Sequence, residues 1–398
     1  MNSPRKIVIV GASLAGLRGA ENLRRAGYDG RLVLVGAEPH LPYDRPPLSK
    51  EILQGTWDAD RIPLRRQPYE ELDLELRLGT RATGLDPSGR VVELAAGARE
   101  EYDALLIASG AAARSLPGQP DLEGIHLLRT LDDSLAIRGE LEGSPRVLVV
   151  GAGFIGAEVA ASCRQRGLEV TVVEPMPVPL LRGLGQRMGE VSAQIHRDHG
   201  VDLRCGIGVT GFEGGSRVER VRLSDGSSVE ADVVVVGVGA APVTDWLESS
   251  GLPLEDGVVC DAHCRTPAPG VFAAGDVARF HNPIFDEVMR IEHWSNAAEQ
   301  SVAATDNMLA GEAAQPYRHV PWFWSDQYDV KIQFAGRLSA EDRMQVVWGS
   351  IDERKFVALY GRAGRLVGVL AFNRPRALIQ YKKLIGEGAN WEEAVGQN

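Results

Sequence analysis

Uninterrupted apolar runs alternate with amphipathic stretches along the first three quarters of the chain. Such runs occupy residues 6–10 (KIVIV), 31–35 (RLVLV), 102–110 and 231–242, and residues 14–26 between the first two have helical character. Continuous apolar runs are typical of parallel strands that are buried on both faces. Strands that alternate with helices in this way predict an α/β fold with parallel sheets.

The first strand leads into a glycine-containing turn. Gly11, Ser13 and Gly16 mark this turn, and Glu38 follows after the second strand. This spacing predicts a dinucleotide-binding βαβ unit, in which the helix N-terminus holds a pyrophosphate and the acid binds a ribose hydroxyl. Ser13 replaces the middle glycine, so its Cβ narrows the space beside the pyrophosphate.

The chain repeats this pattern. Gly151, Gly153 and Gly156 lie at the full spacing between a strand and a helix, and the following strand ends on Glu174. Two units of this kind imply two nucleotide sites. A chain with two dinucleotides usually uses one as a mobile substrate and the other as a resident flavin.

Length and composition narrow the class of protein. A chain of 398 residues with 44% hydrophobic and 24% charged residues is expected to form two or three globular domains. The formal charge of −11 argues against nucleic-acid binding, and the lack of a leader or a long apolar span predicts a cytoplasmic protein without membrane segments. Residues 354–398 carry an excess of Lys and Arg, which indicates either a docking face for an acidic partner or an ordinary solvated surface.

The four cysteines are widely scattered. They stand at positions 163, 205, 260 and 264, without the paired spacing of a redox or zinc motif. We therefore expect ordinary reduced thiols and no metal site.

Several segments leave two interpretations open. Lys50, at the end of the proline-rich loop 42–50, either caps a helix starting near Ser49 or places an ammonium beside a flavin. Asp276 is expected to precede a helix, which it either caps or complements by binding a ribityl hydroxyl. The aromatic cluster in 321–329 indicates either domain core or a stack against a flavin edge.

Eight stretches of the chain carry distinctive motifs. They are GASLAG (11–16), LPYDRPPLSK (41–50), LLIASG (105–110), LRTLDD (128–133), GAGFIGAEVAA (151–161), GVFAAGDVARF (270–280), RIEHWSNAAEQ (290–300) and PWFWSDQYD (321–329). Together these motifs resemble those of the NADH-dependent, FAD-containing ferredoxin reductases that serve oxygenases, on a glutathione-reductase-type fold. The resemblance implies two Rossmann-like domains and a C-terminal α+β domain. The implied bounds are 1–112 with 241–320 for a discontinuous FAD domain, 113–240 for an NAD domain, and 321–398 for the C-terminal domain.

The resemblance also implies the site residues. Those for FAD are Gly11, Ser13, Ala15, Gly16, Glu38, Arg45, Lys50, Ala82, Arg129, Gly275, Asp276 and Trp294. Those for the nicotinamide nucleotide are Gly151, Gly153, Ile155, Gly156, Glu174, Arg182 and Gly239. Lys50, Glu158 and Trp324 are implied as the catalytic residues. A Glu158 in the first turn of its helix is alternatively an ordinary partner of the helix dipole.

The implied reaction is hydride transfer from NADH to FAD, followed by single-electron transfer to a [2Fe–2S] ferredoxin that feeds a monooxygenase or dioxygenase. The carboxylate of Glu174 predicts a preference for NADH over NADPH, which Arg182 would soften. The basic C-terminal surface, including Arg374 and Lys382, is the predicted docking face, with Arg65 and Arg66 as further contributors.

Three other classes of protein are alternatives. A thiol-based reductase needs a redox cysteine on the first helix or near residue 42, where the chain has Leu41, Pro42 and Tyr43. An NADH oxidase or quinone-linked NADH dehydrogenase needs no cysteine, so this alternative stays open. A flavoprotein that binds partners according to its redox state also stays open.

Overall fold

The computed structural model describes residues 4–396, which group into two compact units. The first unit contains the chain up to Asp44 together with Pro63–Ala112 and Ala241–Phe323. The second contains Arg45–Ile62, Ala113–Ala240 and the chain from Trp324. The assignment of an FAD or an NAD domain to particular segments stays a prediction.

The first unit is built on a five-stranded parallel sheet. Its strands, in spatial order, are Val271–Ala273, Ala104–Ile107, Lys6–Val10, Arg31–Val35 and Leu74–Arg77. Two three-stranded sheets accompany it, formed by Ala82–Asp86, Val91–Leu94 and Arg99–Glu101, and by Val258–Cys260, Ala278–Asn282 and Glu287–Arg290. The α-helices are Leu14–Arg25 and Trp294–Ala310.

The second unit contains another five-stranded parallel sheet. Its strands, in spatial order, are Asp202–Cys205, Val170–Glu174, Val147–Val150, Val233–Val236 and Ile125–Leu127. A small antiparallel sheet is formed by Val209–Gly214, Val218–Leu223 and Ser228–Glu230. The α-helices before the C-terminal region are Glu51–Gln54, Leu131–Glu140, Phe154–Gln165, Leu181–Leu184 and Gln186–Asp198.

The C-terminal region forms a five-stranded sheet followed by helices. The strands, in spatial order, are Trp322–Gln327, Val330–Gly336, Arg365–Phe372, Lys355–Arg362 and Arg343–Ser350, and the helices are Pro375–Glu387 and Trp391–Val395. Short strands at Ala111–Ala113 and Ala240–Pro242 lie where the chain passes from one unit to the other. The predicted fold class, with two Rossmann-like sheets and a C-terminal α+β region, is confirmed.

Two local predictions from the sequence are wrong. No helix starts after Asp276, because the chain enters the strand Ala278–Asn282, which pairs with Val258–Cys260 on one side and Glu287–Arg290 on the other. Glu158 is the fifth residue of the helix Phe154–Gln165 and therefore lies in its second turn. Glu158 is therefore not an ordinary partner of the helix dipole, since the dipole acts mainly within the first turn.

Candidate functional site

The first glycine turn is closed by backbone contacts that exclude side chains. A Cβ on Gly11, whose φ is +123°, would lie 1.9 Å from the carbonyl oxygen of Ala108. A Cβ on Gly16 would lie 1.9 Å from the carbonyl oxygen of Gly11. Ser13 occupies the N-cap position of the following helix, but its side chain does not cap that helix. The turn therefore brings the N-terminus of the helix close to the end of the first strand, as a pyrophosphate site requires.

Other predicted FAD residues lie in the same unit. These are Ala15, Glu38, Ala82, Gly275, Asp276 and Trp294. A Cβ on Gly275 would lie 3.1 Å from the Cβ of Ala15, which places the Gly275 turn against the start of the first helix. Glu38 accepts a hydrogen bond from the hydroxyl of Tyr43. The structure thus brings the two glycine-containing segments together.

Backbone and aromatic contacts fix the remaining positions of this group. The N–H of Gly275 donates to Oε1 of Gln300 at 2.9 Å. Trp294 is the first residue of its helix, and its indole Nε1 donates to Oδ1 of Asp44 at 2.7 Å. The first bond fixes the turn that carries Asp276, and the second holds Trp294 against Asp44.

The second glycine turn has the same construction and a more open N-terminus. A Cβ on Gly151 would lie 2.5 Å from the carbonyl oxygen of Gly237, and one on Gly156 would lie 2.0 Å from that of Gly151. A Cβ on Gly153, at the N-cap position, would meet no atom within 4 Å. Ile155 beside it is 47% exposed, although it is a large apolar side chain. This open, apolar approach to a helix N-terminus fits a dinucleotide.

Glu174 is buried at the end of its strand and is held by backbone donors. Its Oε2 accepts the N–H of Ala152 at 2.6 Å, and its Oε1 accepts the N–H of Met176 at 2.8 Å. Each carboxylate oxygen has a further lone pair, so the residue retains capacity for ribose hydroxyls. Arg182 is exposed, and Gly239 adopts a φ of +108° with open space around its Cβ position.

Lys50 and Glu158 form a buried ion pair in the second unit. The Lys50 Nζ donates to Oε2 of Glu158 at 2.8 Å, although 108 residues separate them in sequence. Lys50 sits at the N-cap position of Glu51–Gln54, but its side chain makes no capping bond. The interpretation of Lys50 as a helix cap is therefore wrong. Buried ion pairs contribute little net stability, so stability alone does not account for this pair.

Two further predicted residues are joined by a hydrogen bond in the same unit. Nη1 of Arg45 donates to the carbonyl oxygen of Arg129 at 2.7 Å. The N–H of Arg129 in turn donates to Oδ2 of Asp133 at 3.0 Å, next to the cap of the helix Leu131–Glu140. Trp324 is half-buried in the strand Trp322–Gln327.

Sequence reasoning missed three buried polar residues near the ion pair. The hydroxyls of Ser49 and Ser325 donate to Oε2 and Oε1 of Glu158 at 2.5 and 2.7 Å. The amide of Gln327 donates to the Ser325 hydroxyl at 3.1 Å. Ser49 adjoins Lys50 and Ser325 adjoins Trp324, so proximity to predicted site residues was the available signal.

The thiols show no sign of activation. Burial raises the pKa of Cys163 and of Cys260 to about 12, and it raises that of Cys264 well above the ordinary value. A reactive cysteine instead has a lowered pKa and access to solvent. Between residues 4 and 396 no group of His, Cys, Asp or Glu has the arrangement of a metal site. The same part of the chain contains no helix long and apolar enough to cross a membrane.

Comparison with known proteins identifies the family. Residues 5–301 match the model for pyridine nucleotide-disulphide oxidoreductases, and residues 322–396 match the reductase C-terminal model. The chain belongs to the pyridine nucleotide-disulphide oxidoreductase family. Members of this family use FAD and NAD(H), and these are the cofactors of the present chain. Both glycine turns fit such ligands, since a Cβ at a closing glycine would collide with the backbone that brings the helix N-terminus to the end of the strand.

Individual relatives within this family are similar over almost their whole length. Rhodocoxin reductase from Rhodococcus erythropolis is 37% identical, over 95% of this chain and 89% of the relative. The ferredoxin–NAD(+) reductase component of the anthranilate 1,2-dioxygenase system from Burkholderia cepacia is 37% identical, over 96% of this chain and 94% of the relative. A crystal structure of a covalent putidaredoxin reductase–putidaredoxin complex matches with a TM-score of 0.94 at 33% identity, covering 100% of this chain and 97% of that chain. The resemblance found in the sequence motifs is thereby confirmed.

Proposed function

We propose that this protein is an FAD-dependent NADH:ferredoxin reductase that supplies electrons to a [2Fe–2S] ferredoxin serving a monooxygenase or dioxygenase. The observation that carries this proposal is the similarity, over nearly the whole chain, to ferredoxin–NAD(+) reductases of oxygenase systems. The buried, high-pKa thiols support it, because a thiol-based reductase requires an activated cysteine.

The two glycine turns would hold the two cofactors. We assign FAD to the turn at Gly11–Gly16 with Glu38, Ala82, Gly275, Asp276 and Trp294, and to Arg45 and Arg129. We assign the nicotinamide nucleotide to the turn at Gly151–Gly156 with Ile155, Glu174, Arg182 and Gly239. When bound, FAD would supply the capacity to take a hydride from NADH and to pass electrons on one at a time. A carboxylate at position 174 favours ribose hydroxyls and repels a 2′-phosphate, so we expect NADH to be preferred.

Lys50, Glu158 and Trp324 are the residues to which we assign the catalytic role. The ammonium of Lys50 supplies a fixed positive charge, and the carboxylate of Glu158 holds it in one direction. A preorganised charge of this kind stabilises negative charge that develops during the reaction, without reorganisation at that moment. Trp324 supplies a half-buried aromatic face on the strand next to Ser325.

We further propose that the ferredoxin docks on a basic helix face, defined as Trp348, Arg374, Arg376, Ile379 and Lys382. The guanidinium carbon of Arg374 lies 3.6 Å from the centre of the Trp348 ring, which is 39% exposed, and Ile379 is 73% exposed. Exposed aromatic and apolar anchors within a charged rim are typical of interfaces. Such a surface suits an acidic partner.

Some basic residues of the predicted docking face pair with acidic side chains of the chain itself. Arg354 pairs with Asp198, and Nε of Arg362 lies 2.7 Å from Oδ1 of Asp342, so these two charges are compensated within the chain. Arg65 is likewise engaged by acidic neighbours in the first unit, whereas Arg66 is exposed.

Anaerobic stopped-flow measurements test both proposals. NADH should bleach the flavin faster than NADPH, and the reduced enzyme should then reduce a [2Fe–2S] ferredoxin at a rate that falls with ionic strength. R374E should raise the ferredoxin concentration for half-maximal rate by about tenfold and weaken its salt dependence, since rim charges act mainly on association. Arg365, exposed at the other end of the strand Arg365–Phe372, provides the matched control R365E.

The outcomes separate the function from the docking face. Flavin bleaching without reduction of any ferredoxin offered would count against the reductase assignment. Normal ferredoxin reduction with equal effects of R374E and R365E would refute the basic helix face alone.

A further inference from the structure

The carboxylate of Glu158 is surrounded by donors on both oxygens. Lys50 Nζ and the Ser49 hydroxyl donate to Oε2, whereas the Ser325 hydroxyl donates to Oε1. Glu158 is 3% exposed, and Ser49 and Ser325 are 2% and 0% exposed. Buried carboxylates are costly unless such bonds are complete, so each donor restricts the orientation of the carboxylate.

Ser325 differs from the other two donors in its place in the chain. It lies in the segment that matches the reductase C-terminal model, whereas Lys50, Ser49 and Glu158 lie in the segment that matches the main family model. Its contact with Glu158 spans 167 residues of sequence. The C-terminal region therefore contributes a side chain to the ion pair in addition to its proposed docking surface.

Gln327 orients the hydroxyl of Ser325. The two residues are two positions apart in the strand Trp322–Gln327, so their side chains point to the same face of the sheet. Nε2 of Gln327 donates to Oγ of Ser325 at 3.1 Å. A hydroxyl has one proton, so an oxygen that already accepts from Gln327 directs that proton to its other partner, Oε1 of Glu158. Gln327 is 0% exposed, and water therefore does not replace this interaction.

We propose that Ser325, oriented by Gln327, is a positioning residue for the Lys50–Glu158 pair. Without its hydroxyl, Oε1 of Glu158 is buried without its donor, and the carboxylate can rotate away from the geometry that directs the Lys50 ammonium. A residue that holds an active group in one orientation acts by preorganisation, and small displacements of such a group lower the reaction rate strongly. The effect on flavin chemistry rests on the proposed function, whereas the effect on the ion pair does not.

The first measurement probes the ion pair without enzymatic turnover. The holoprotein is treated with an amine-acylating reagent, and the labelling rate of each lysine is followed by peptide mass spectrometry. S325A should raise the labelling rate of Lys50 by about fivefold or more, relative to the exposed Lys355 and Lys383 as internal references, because a looser carboxylate frees the ammonium more often.

Ser162 provides the matched control. It is 1% exposed and lies on the same helix as Glu158, but its hydroxyl donates to the carbonyl oxygen of Ser49 at 2.7 Å. The same hydroxyl accepts from Nε2 of Gln54 at 3.2 Å, so S162A removes a buried hydroxyl and two hydrogen bonds. It should nevertheless leave Lys50 labelling close to that of the wild type. Equal labelling of Lys50 in S325A, S162A and wild type overturns the proposal.

A double-variant background provides a second, independent test. Replacing both members of the pair, K50M with E158M, removes the two charges together, a change that is far milder than leaving one buried charge alone. S325A should lower the denaturant midpoint in the wild type but not in this background, because the two changes remove the same interaction. An equal shift in both backgrounds would show that Ser325 acts independently of the pair and would overturn the proposal.

Stopped-flow reduction by NADH connects the pair to function. S325A should slow flavin reduction by about tenfold, with an NADH dissociation constant within about twofold of wild type, since the residue orients a reacting group and binds no nucleotide. Raised Lys50 labelling with unchanged flavin reduction would uphold the positioning role and refute the catalytic role proposed for Lys50 and Glu158.

Discussion

The stability of the second unit is expected to fall in mild acid because of His196. This residue lies in the helix Gln186–Asp198, is 2% exposed, and has its Nδ1 3.0 Å from the hydroxyl of Tyr328. Burial lowers the pKa of His196 from 6.5 to about 4; the charge of His199 adds to this, and a contact with Gln327 opposes it. As pH falls below 6.5, His196 becomes protonated in the unfolded chain, whereas in the folded chain it stays neutral down to about pH 4. The free energy of unfolding therefore decreases across that pH window.

The magnitude follows from the two pKa values. At about pH 5, protonation favours the unfolded chain over the folded chain by a factor of about 30, which corresponds to about 2 kcal/mol. At about pH 7.5 the same relation gives less than ~0.1 kcal/mol. The substitution H196Q retains a polar side chain and removes this titration. On acidification from about pH 7.5 to about pH 5, the variant should therefore lose about 2 kcal/mol less of its free energy of unfolding than wild type.

Urea unfolding of wild type and H196Q, followed by circular dichroism at both pH values, measures this difference directly. H199Q serves as a control for the loss of an imidazole near the same end of the helix, where the His199 ring stacks on Tyr328 at 3.7 Å. The reasoning fails if wild type and H196Q lose stability in parallel on acidification.

Two further predictions concern the second glycine turn and a helix cap. G153A should fold normally but bind NADH more weakly by about tenfold, because its methyl group enters the open space at the helix N-terminus, whereas G156A should lower the denaturant midpoint through its 2.0 Å approach to the Gly151 oxygen. Equal NADH affinity of G153A and wild type in a fluorescence titration would contradict this. Thr130 and Asp133 form a reciprocal capping box, so T130A should cost about 1 kcal/mol of unfolding free energy and T130S much less. Chemical denaturation compares the two variants, and an equal loss in both would argue against the cap.

Much of the local geometry of the candidate site could be predicted from the sequence because its constraints are local. The closing glycines of both turns are required by backbone atoms only a few residues away or on the adjacent strand, and the acid after the second strand follows from the length of the βαβ unit. Thr130 stands just before Asp132 and Asp133, a pattern typical of a helix N-terminus, and the structure shows the capping box. In each case the spacing along one short segment carries the information.

The segment after Asp276 shows where local pattern fails. Its small and apolar residues suit the start of a helix, yet it forms the strand Ala278–Asn282 because strands on both sides pair with it. Tertiary pairing routinely overrides local preference in this way. The position of Glu158 in the second turn of its helix likewise follows from where that helix begins.

The sequence by itself determined the two glycine turns, the fold class and the family, because the motifs that indicate them have spacings within about 30 residues. Only the tertiary structure decided that Ser49 and Ser325 complete the surroundings of Glu158 and that Gln327 orients Ser325. The two serine contacts to Glu158 join segments more than a hundred residues apart, and no periodicity records them. They form because a buried carboxylate must find donors wherever the folded chain supplies them.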